Sequence, residues 1–268
     1  MSENQEKIMS LVMAAVFLVS AYFLARGFAM YAGKSAETVG EMTRVQERAQ
    51  QKEQKNAQQK EREVFAELPE GGSAVKFCVI VDAGHGGKDP GKVGVNGALE
   101  KDINLQIANL LKAFLEMDDI RVVMTRETDA GLYDENCSNK KVQDMKRRIA
   151  LIEEADADLV VSIHQNSYRD SSVKGGQVFY YTTGEKSRQL AQTIQKQLQE
   201  LQPGNKREAK GNTGYYLLKK TAVPTVIVEC GFLSNPEEAQ ILTERTYQER
   251  MAFGIFMGVM KYLNGEET

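Results

Sequence analysis

Five short apolar runs rich in β-branched residues recur between longer helical patterns, and this alternation narrows the fold more than any other feature of the chain. The runs are KFCVIVDA (76–83), IRVVMTR (120–126), ADLVVSIH (157–164), QVFYYTT (177–183) and PTVIVECGF (224–232). Helical patterns lie between and after them, at Glu100–Leu115, Lys140–Glu154, Glu185–Leu201 and Arg245–Leu263. In the first helix Ile103, Ile107, Leu110, Leu111 and Phe114 fall on one stripe. Near-continuous apolar strands separated by helices predict an α/β fold, with a mostly parallel sheet covered on both faces. In such a sheet the ligand site lies beyond the carboxyl ends of the strands.

Ahead of this region the composition changes twice. Ile8 to Ala25 carries no charge and no proline. At about 1.5 Å per residue that run makes a helix of roughly 27 Å, enough to cross a hydrocarbon core. No A-x-A-like cleavage site follows near Ala25, so residues 1–33 are expected to form an uncleaved membrane anchor. Lys7 precedes the span while Arg26 and Lys34 follow it, so charge does not favour an N-in orientation. Residues 34–72 are dominated by Glu, Gln, Lys, Arg and Ala without a sustained heptad, which predicts a helical or disordered charged stalk. The LPEGG at 68–72 marks its end, and residues 73–268 are expected to form the globular domain.

The formal charge of -3 gives no basic face for a nucleic acid, and no such partner is expected. The three cysteines, Cys78, Cys137 and Cys230, lack metal-knuckle spacing and cannot all pair within one chain. Cys78 and Cys230 fall in apolar runs, where a free thiol acts as a small hydrophobe.

Three of the predicted strands end in residues suited to metal chemistry. The first runs into His85 within a glycine-rich turn, the third ends at His164, and the last carries Glu229 at its carboxyl end. A fourth candidate, Glu100, opens the first helix. His85 and His164 are the only two histidines in the chain. An unpaired carboxylate within VIVECGF is expensive to bury, which marks Glu229 further. Two imidazoles and a carboxylate with an open fourth position form a catalytic zinc pattern, whereas magnesium or calcium would not favour two imidazoles. The chain holds no GxxxxGK[ST] phosphate loop and no G-x-S-x-G elbow. Cys230 remains a candidate nucleophile, although strand alternation turns it away from the face that carries Glu229.

The motifs VDAGHGGKDPG, LEKDINL, MTRETD, SIHQNS and IVECGFLSNPEE resemble, in order, those of the zinc-dependent N-acetylmuramoyl-L-alanine amidases, the amidase-3 family. The resemblance covers residues 75–264. The N-terminal span, LYDENCSNKKVQDMKRRIALI and NTGYYLLKKTAVP are most similar to the spore-cortex, germination-specific CwlD-like branch. Ala83, Ser167 and Cys230 stand where the family often has Pro, Ala and Val.

The resemblance implies a three-layer sandwich around a mixed sheet of about six strands. It implies one Zn²⁺ per chain held by His85, Glu100 and His164, with Glu229 as the catalytic acid–base. The substrate would be peptidoglycan, cut at the amide between N-acetylmuramic acid and L-alanine. In the spore branch this cut precedes muramic-δ-lactam formation by a separate deacetylase. That chemistry requires the membrane anchor to leave the catalytic domain outside the cytoplasm, in a forespore between its two membranes. An accessory or activating protein is expected for an enzyme that must spare the vegetative wall. Asp82 is expected to orient a ligand imidazole. A zinc peptidase on stem peptides would instead need an arginine clamp for a terminal carboxylate, Arg126 or Arg169. A membrane-tethered wall-binding scaffold with a vestigial site is the reading outside enzymes.

Overall fold

Side chains of β1 (Cys78–Ala83) alternate between two buried faces, Val79 and Val81 on one and Cys78 and Ile80 on the other. That pattern requires cover on both sides of the sheet, which the helices supply. The structure, a computed structural model, describes residues 77–266. The expected anchor (1–33) and stalk (34–72) lie outside the described residues. Among the described residues no helix is long and apolar enough to cross a membrane.

The remaining strands are β2 (Arg121–Met124), β3 (Leu159–Asn166), β4 (Gln177–Tyr181), β5 (Lys210–Asn212) and β6 (Thr225–Phe232). They form one six-stranded sheet in the order β2-β1-β3-β6-β4-β5. The pairs β1–β2, β1–β3 and β3–β6 are parallel, while β4 runs antiparallel to β6 and parallel to β5. The expected mixed sheet is therefore present. Three central parallel strands, β1, β3 and β6, end side by side at the same edge.

Helices α1 (Glu100–Glu116), α3 (Glu185–Leu201) and α6 (Arg245–Leu263) cover one face. Ile107 and Leu111 of α1, Ile194 of α3 and Ile255 of α6 are fully buried there against Val79, Val161 and Val228. Truncating one such leucine to alanine would destabilise the domain by about 2–5 kcal/mol. Helices α2 (Lys140–Glu154) and α4 (Tyr216–Lys220) cover the other face, packing Ile152 and Leu217 on Cys78, Ile80 and Val160. A short α5 (Pro236–Ile241) follows β6, started by Asn235, whose side chain accepts from the Glu238 amide, and by proline in the first turn.

Candidate active site

His164 and Glu229 are paired across the β3–β6 ladder, and both leave the sheet on the α2/α4 face. Cys230, the next residue, points into the opposite core and is fully buried. Burial raises its thiol far above the ordinary range, and it does not line the cavity that Glu229 faces.

The first imidazole comes from the loop after β1. His85 has a φ of 62°, a left-handed conformation that disfavours a side chain by roughly 1–2 kcal/mol. Two contacts hold it there. The Arg148 guanidinium donates through Nη2 to the His85 carbonyl at 2.7 Å, and the ring Nδ1 meets Asp89 Oδ2 at 3.0 Å. Burial works against ionisation of Asp89, but the imidazole beside it holds its carboxyl below the usual range. With Nδ1 occupied, Nε2 faces inward and lies 3.1 Å from Glu100 Oε1.

Glu100 opens α1 without any side-chain cap; the backbone N–H groups of Glu100 and Lys101 are satisfied instead by the carbonyls of Lys92 and Pro90. The carboxylate is thereby free to turn inward, where it is only 2% exposed. Its Oε1 lies 2.9 Å from His164 Nδ1 and accepts from the Gln165 amide at 3.1 Å, while Oε2 accepts from the Lys92 amide at 2.7 Å. Burial would raise its pKa, yet the hydrogen bonds and charge of His164 and His85 drive it well below the carboxylate range. Conversely, burial works to lower His164, and Glu100 overrides it and raises the imidazole. These opposite shifts describe one site that attracts positive charge, whether a proton or a metal ion.

Ligand atoms of His85, Glu100 and His164 all lie within 4.8 Å of one another. Two glycines make that approach achievable. A Cβ on Gly84 would stand 2.3 Å from the His164 ring, and one on Gly91 would stand 2.6 Å from Glu100 Oε2 and 2.7 Å from His85 Cδ2. Two imidazole nitrogens and a carboxylate oxygen converging at this spacing suit a four-coordinate metal with one position left for water or substrate.

Glu229 lines the same cavity, which has a volume of about 730 Å³. Its Oε1 accepts from the Tyr215 hydroxyl at 3.2 Å, whereas Oε2 is buried and has no hydrogen-bond partner among the described residues. Burial, followed by the nearby Glu100 carboxylate, raises the Glu229 pKa against the opposing pull of the histidines. A buried carboxylate oxygen without a donor is costly unless a ligand or water uses it.

All four metal and catalytic candidates therefore come together: His85, Glu100, His164 and Glu229 line one cavity. Asp82 does not. Its carboxylate accepts from Arg148 at 2.6 Å, from Thr125 at 2.8 Å and from the Ser162 hydroxyl, rather than from an imidazole. It points from β1 towards α2, where Arg148 is the buried cation to be paired. Arg126 is also no substrate clamp, because its guanidinium donates to the carbonyls of Ala83, Gly84, Lys101 and Thr128. Arg169 is exposed and does not line the cavity. Sequence reasoning missed Asp89 and Tyr215. Asp89 could have been found as the carboxylate four residues after His85 in the same turn; Tyr215 carries no comparable signal.

A family model described as N-acetylmuramoyl-L-alanine amidase matches residues 79–261. A germination-specific N-acetylmuramoyl-L-alanine amidase of Bacillus subtilis (strain 168) is 36% identical over 187 residues, covering 69% of this chain and 78% of that protein. Among solved structures, the CwlD amidase from Clostridioides difficile, in complex with the GerS lipoprotein, is similar with a TM-score of 0.69. The match is 39% identical and covers 71% of this chain and 100% of that one. The catalytic domain of CwlV, an N-acetylmuramoyl-L-alanine amidase from Bacillus (Paenibacillus) polymyxa var. colistinus, gives a TM-score of 0.62 at 31% identity, covering 70% and 98%.

Proposed function

The chain belongs to the N-acetylmuramoyl-L-alanine amidase family, and on that premise we propose a zinc-dependent mechanism and a role in the spore cortex. The enzyme hydrolyses the amide between N-acetylmuramic acid and L-alanine in peptidoglycan, releasing the stem peptide. One observation carries the mechanism: a two-histidine, one-carboxylate cluster shares a cavity with Glu229, whose buried Oε2 has no partner among the described residues.

In this reading His85, Glu100 and His164 hold one zinc ion per chain. Bound zinc supplies a Lewis acid that activates water and polarises the scissile carbonyl. Glu229 takes the proton from the attacking water at Oε2 and hands it to the amine of L-alanine as the amide breaks. Its burial suits both halves of that task, because a raised pKa lets the carboxyl hold a proton briefly and then give it up. Asp89 keeps His85 in the tautomer that presents Nε2.

The cortex role draws on the germination-specific relative and on the similarity to CwlD. In this reading the cut prepares muramic acid for a separate deacetylase and the formation of muramic-δ-lactam. The lipoprotein bound to the similar amidase supports an accessory protein for this one as well. A substrate outside the cytoplasm fits an anchor over residues 1–33 and a stalk over 34–72 that carry domain 73–268 into the space between the forespore membranes.

The test is to incubate the purified chain with zinc and sacculi and to identify the products by mass spectrometry. Peptides that begin with a free L-alanine amine, from protein carrying one equivalent of zinc, support the reading. Products cut within the stem peptide would establish a peptidase, and full turnover without zinc would remove the metal from the mechanism.

A further inference from the structure

Glu229 has two oxygens in unlike surroundings, and one side chain creates the difference. The Tyr215 hydroxyl donates to Oε1 at 3.2 Å, and no other described group reaches either oxygen. Tyr215 is itself firmly placed. Asn212 Oδ1 accepts from the amides of Gly214 and Tyr215 at 2.7 and 3.0 Å, so the segment ahead of α4 is pinned through its backbone. The ring packs edge-on against Phe179 of β4, with centroids 5.6 Å apart and planes at 69°. Neither contact involves the metal cluster.

Resting on the acid–base reading of Glu229, we propose that Tyr215 is a positioning residue that selects the carboxylate oxygen through which the proton moves. With Oε1 engaged by the phenol, the carboxylate cannot rotate freely, and Oε2 is left as the oxygen without a described donor. The proton taken from water lands on Oε2 and leaves from Oε2 to the departing amine; Tyr215 keeps its own proton throughout. Burial and the adjoining Glu229 charge hold that phenol far above the neutral range, consistent with a donor that orients and does not transfer. Tyr215 therefore touches no reacting atom and acts through Glu229.

The test compares wild type, Tyr215→Phe and Glu229→Gln in the full chain. Tyr215→Phe keeps the ring on Phe179 and removes only the hydroxyl. Its kcat should fall about tenfold, the low end of what a hydrogen bond to a charged group supports, with KM, zinc content and Tm unchanged. Infrared spectra of protein with labelled glutamate give a readout independent of turnover. The carboxylate band that Glu229→Gln abolishes should shift in Tyr215→Phe. An unshifted band, an unchanged kcat, or a kcat loss matched by a falling Tm or a rising KM would overturn the proposal. A wild type that fails to cut the amide would instead reject the acid–base reading, with the band shift still deciding whether Tyr215 orients Glu229.

Discussion

The β1 side of the cavity and its β6 side each present a buried carboxylate, and the protein surrounds the two in opposite ways. Glu100 meets both imidazoles and two backbone amides, and it is held ionised. Glu229 receives one hydroxyl, keeps one oxygen without a partner among the described residues, and has its pKa raised. The first arrangement fixes a charge in place; the second favours the protonated form, which is what the proposed acid–base role of Glu229 needs. The contrast extends to the scaffold. On the β1 side, buried Arg148 ties Asp82, Asp144, Ala83 and the carbonyl of His85 into one network. The β6 side offers Glu229 a single tyrosine.

Mutations on the two sides should therefore fail in different ways. Glu229→Gln should lower kcat by about 10²–10⁴-fold, the usual contribution of a general acid–base, while zinc content and the urea midpoint hold. A loss of stability there would blur the two sides. His164→Ala should lose stoichiometric zinc, which metal analysis after dialysis reads directly; a full equivalent retained would break the ligand assignment. Arg148→Met should destabilise the domain by about 3–5 kcal/mol in urea unfolding, since it leaves Asp82 and Asp144 without their buried cation. Asp89→Asn should weaken zinc affinity by about 10- to 100-fold in a chelator competition, with little change in Tm.

The smallest effect is in acid. Against its burial, Arg148 and the Ser162 hydroxyl hold the Asp82 carboxyl at about 2, below its ordinary 3.8. A depressed carboxyl stabilises the fold above its unfolded pKa, and that stabilisation fades as pH drops from 3.8 through about 2. It is worth about 2 kcal/mol at neutral pH. Asp82→Asn should flatten that part of the urea-midpoint profile; an unchanged acid limb would show that the β1 network is not electrostatically held.

The same contrast governs how much could be read from the chain. Strands with apolar runs and the four long helices announce themselves because burial on two faces, or on one stripe, imposes a period on the sequence. The segment KGN of β5 is polar and three residues long, and α4 is five residues long; neither offers a period to detect. That His85, Glu100, His164 and Glu229 come together was legible because each is an ionisable residue at the end of a strand or the start of a helix, where parallel topology gathers side chains. Asp82 misled for the same reason. It stands at a strand end, but its partner comes from α2, and a contact between distant segments leaves no mark on local spacing. Tyr215 is the converse case, an ordinary tyrosine whose importance comes only from the oxygen it reaches.

The short edge strand has a kinetic consequence. Asn212, which pins Tyr215, is the last residue of β5, and β5 is joined to the sheet through β4 alone. Outer strands with few neighbours open at lower free energy than central ones. Amide hydrogen exchange should therefore run faster at 210–214 than in β1 or β3. On gentle warming, turnover of zinc-loaded protein should decline while its zinc content is unchanged, giving a reversible, partly idle enzyme well before the domain unfolds.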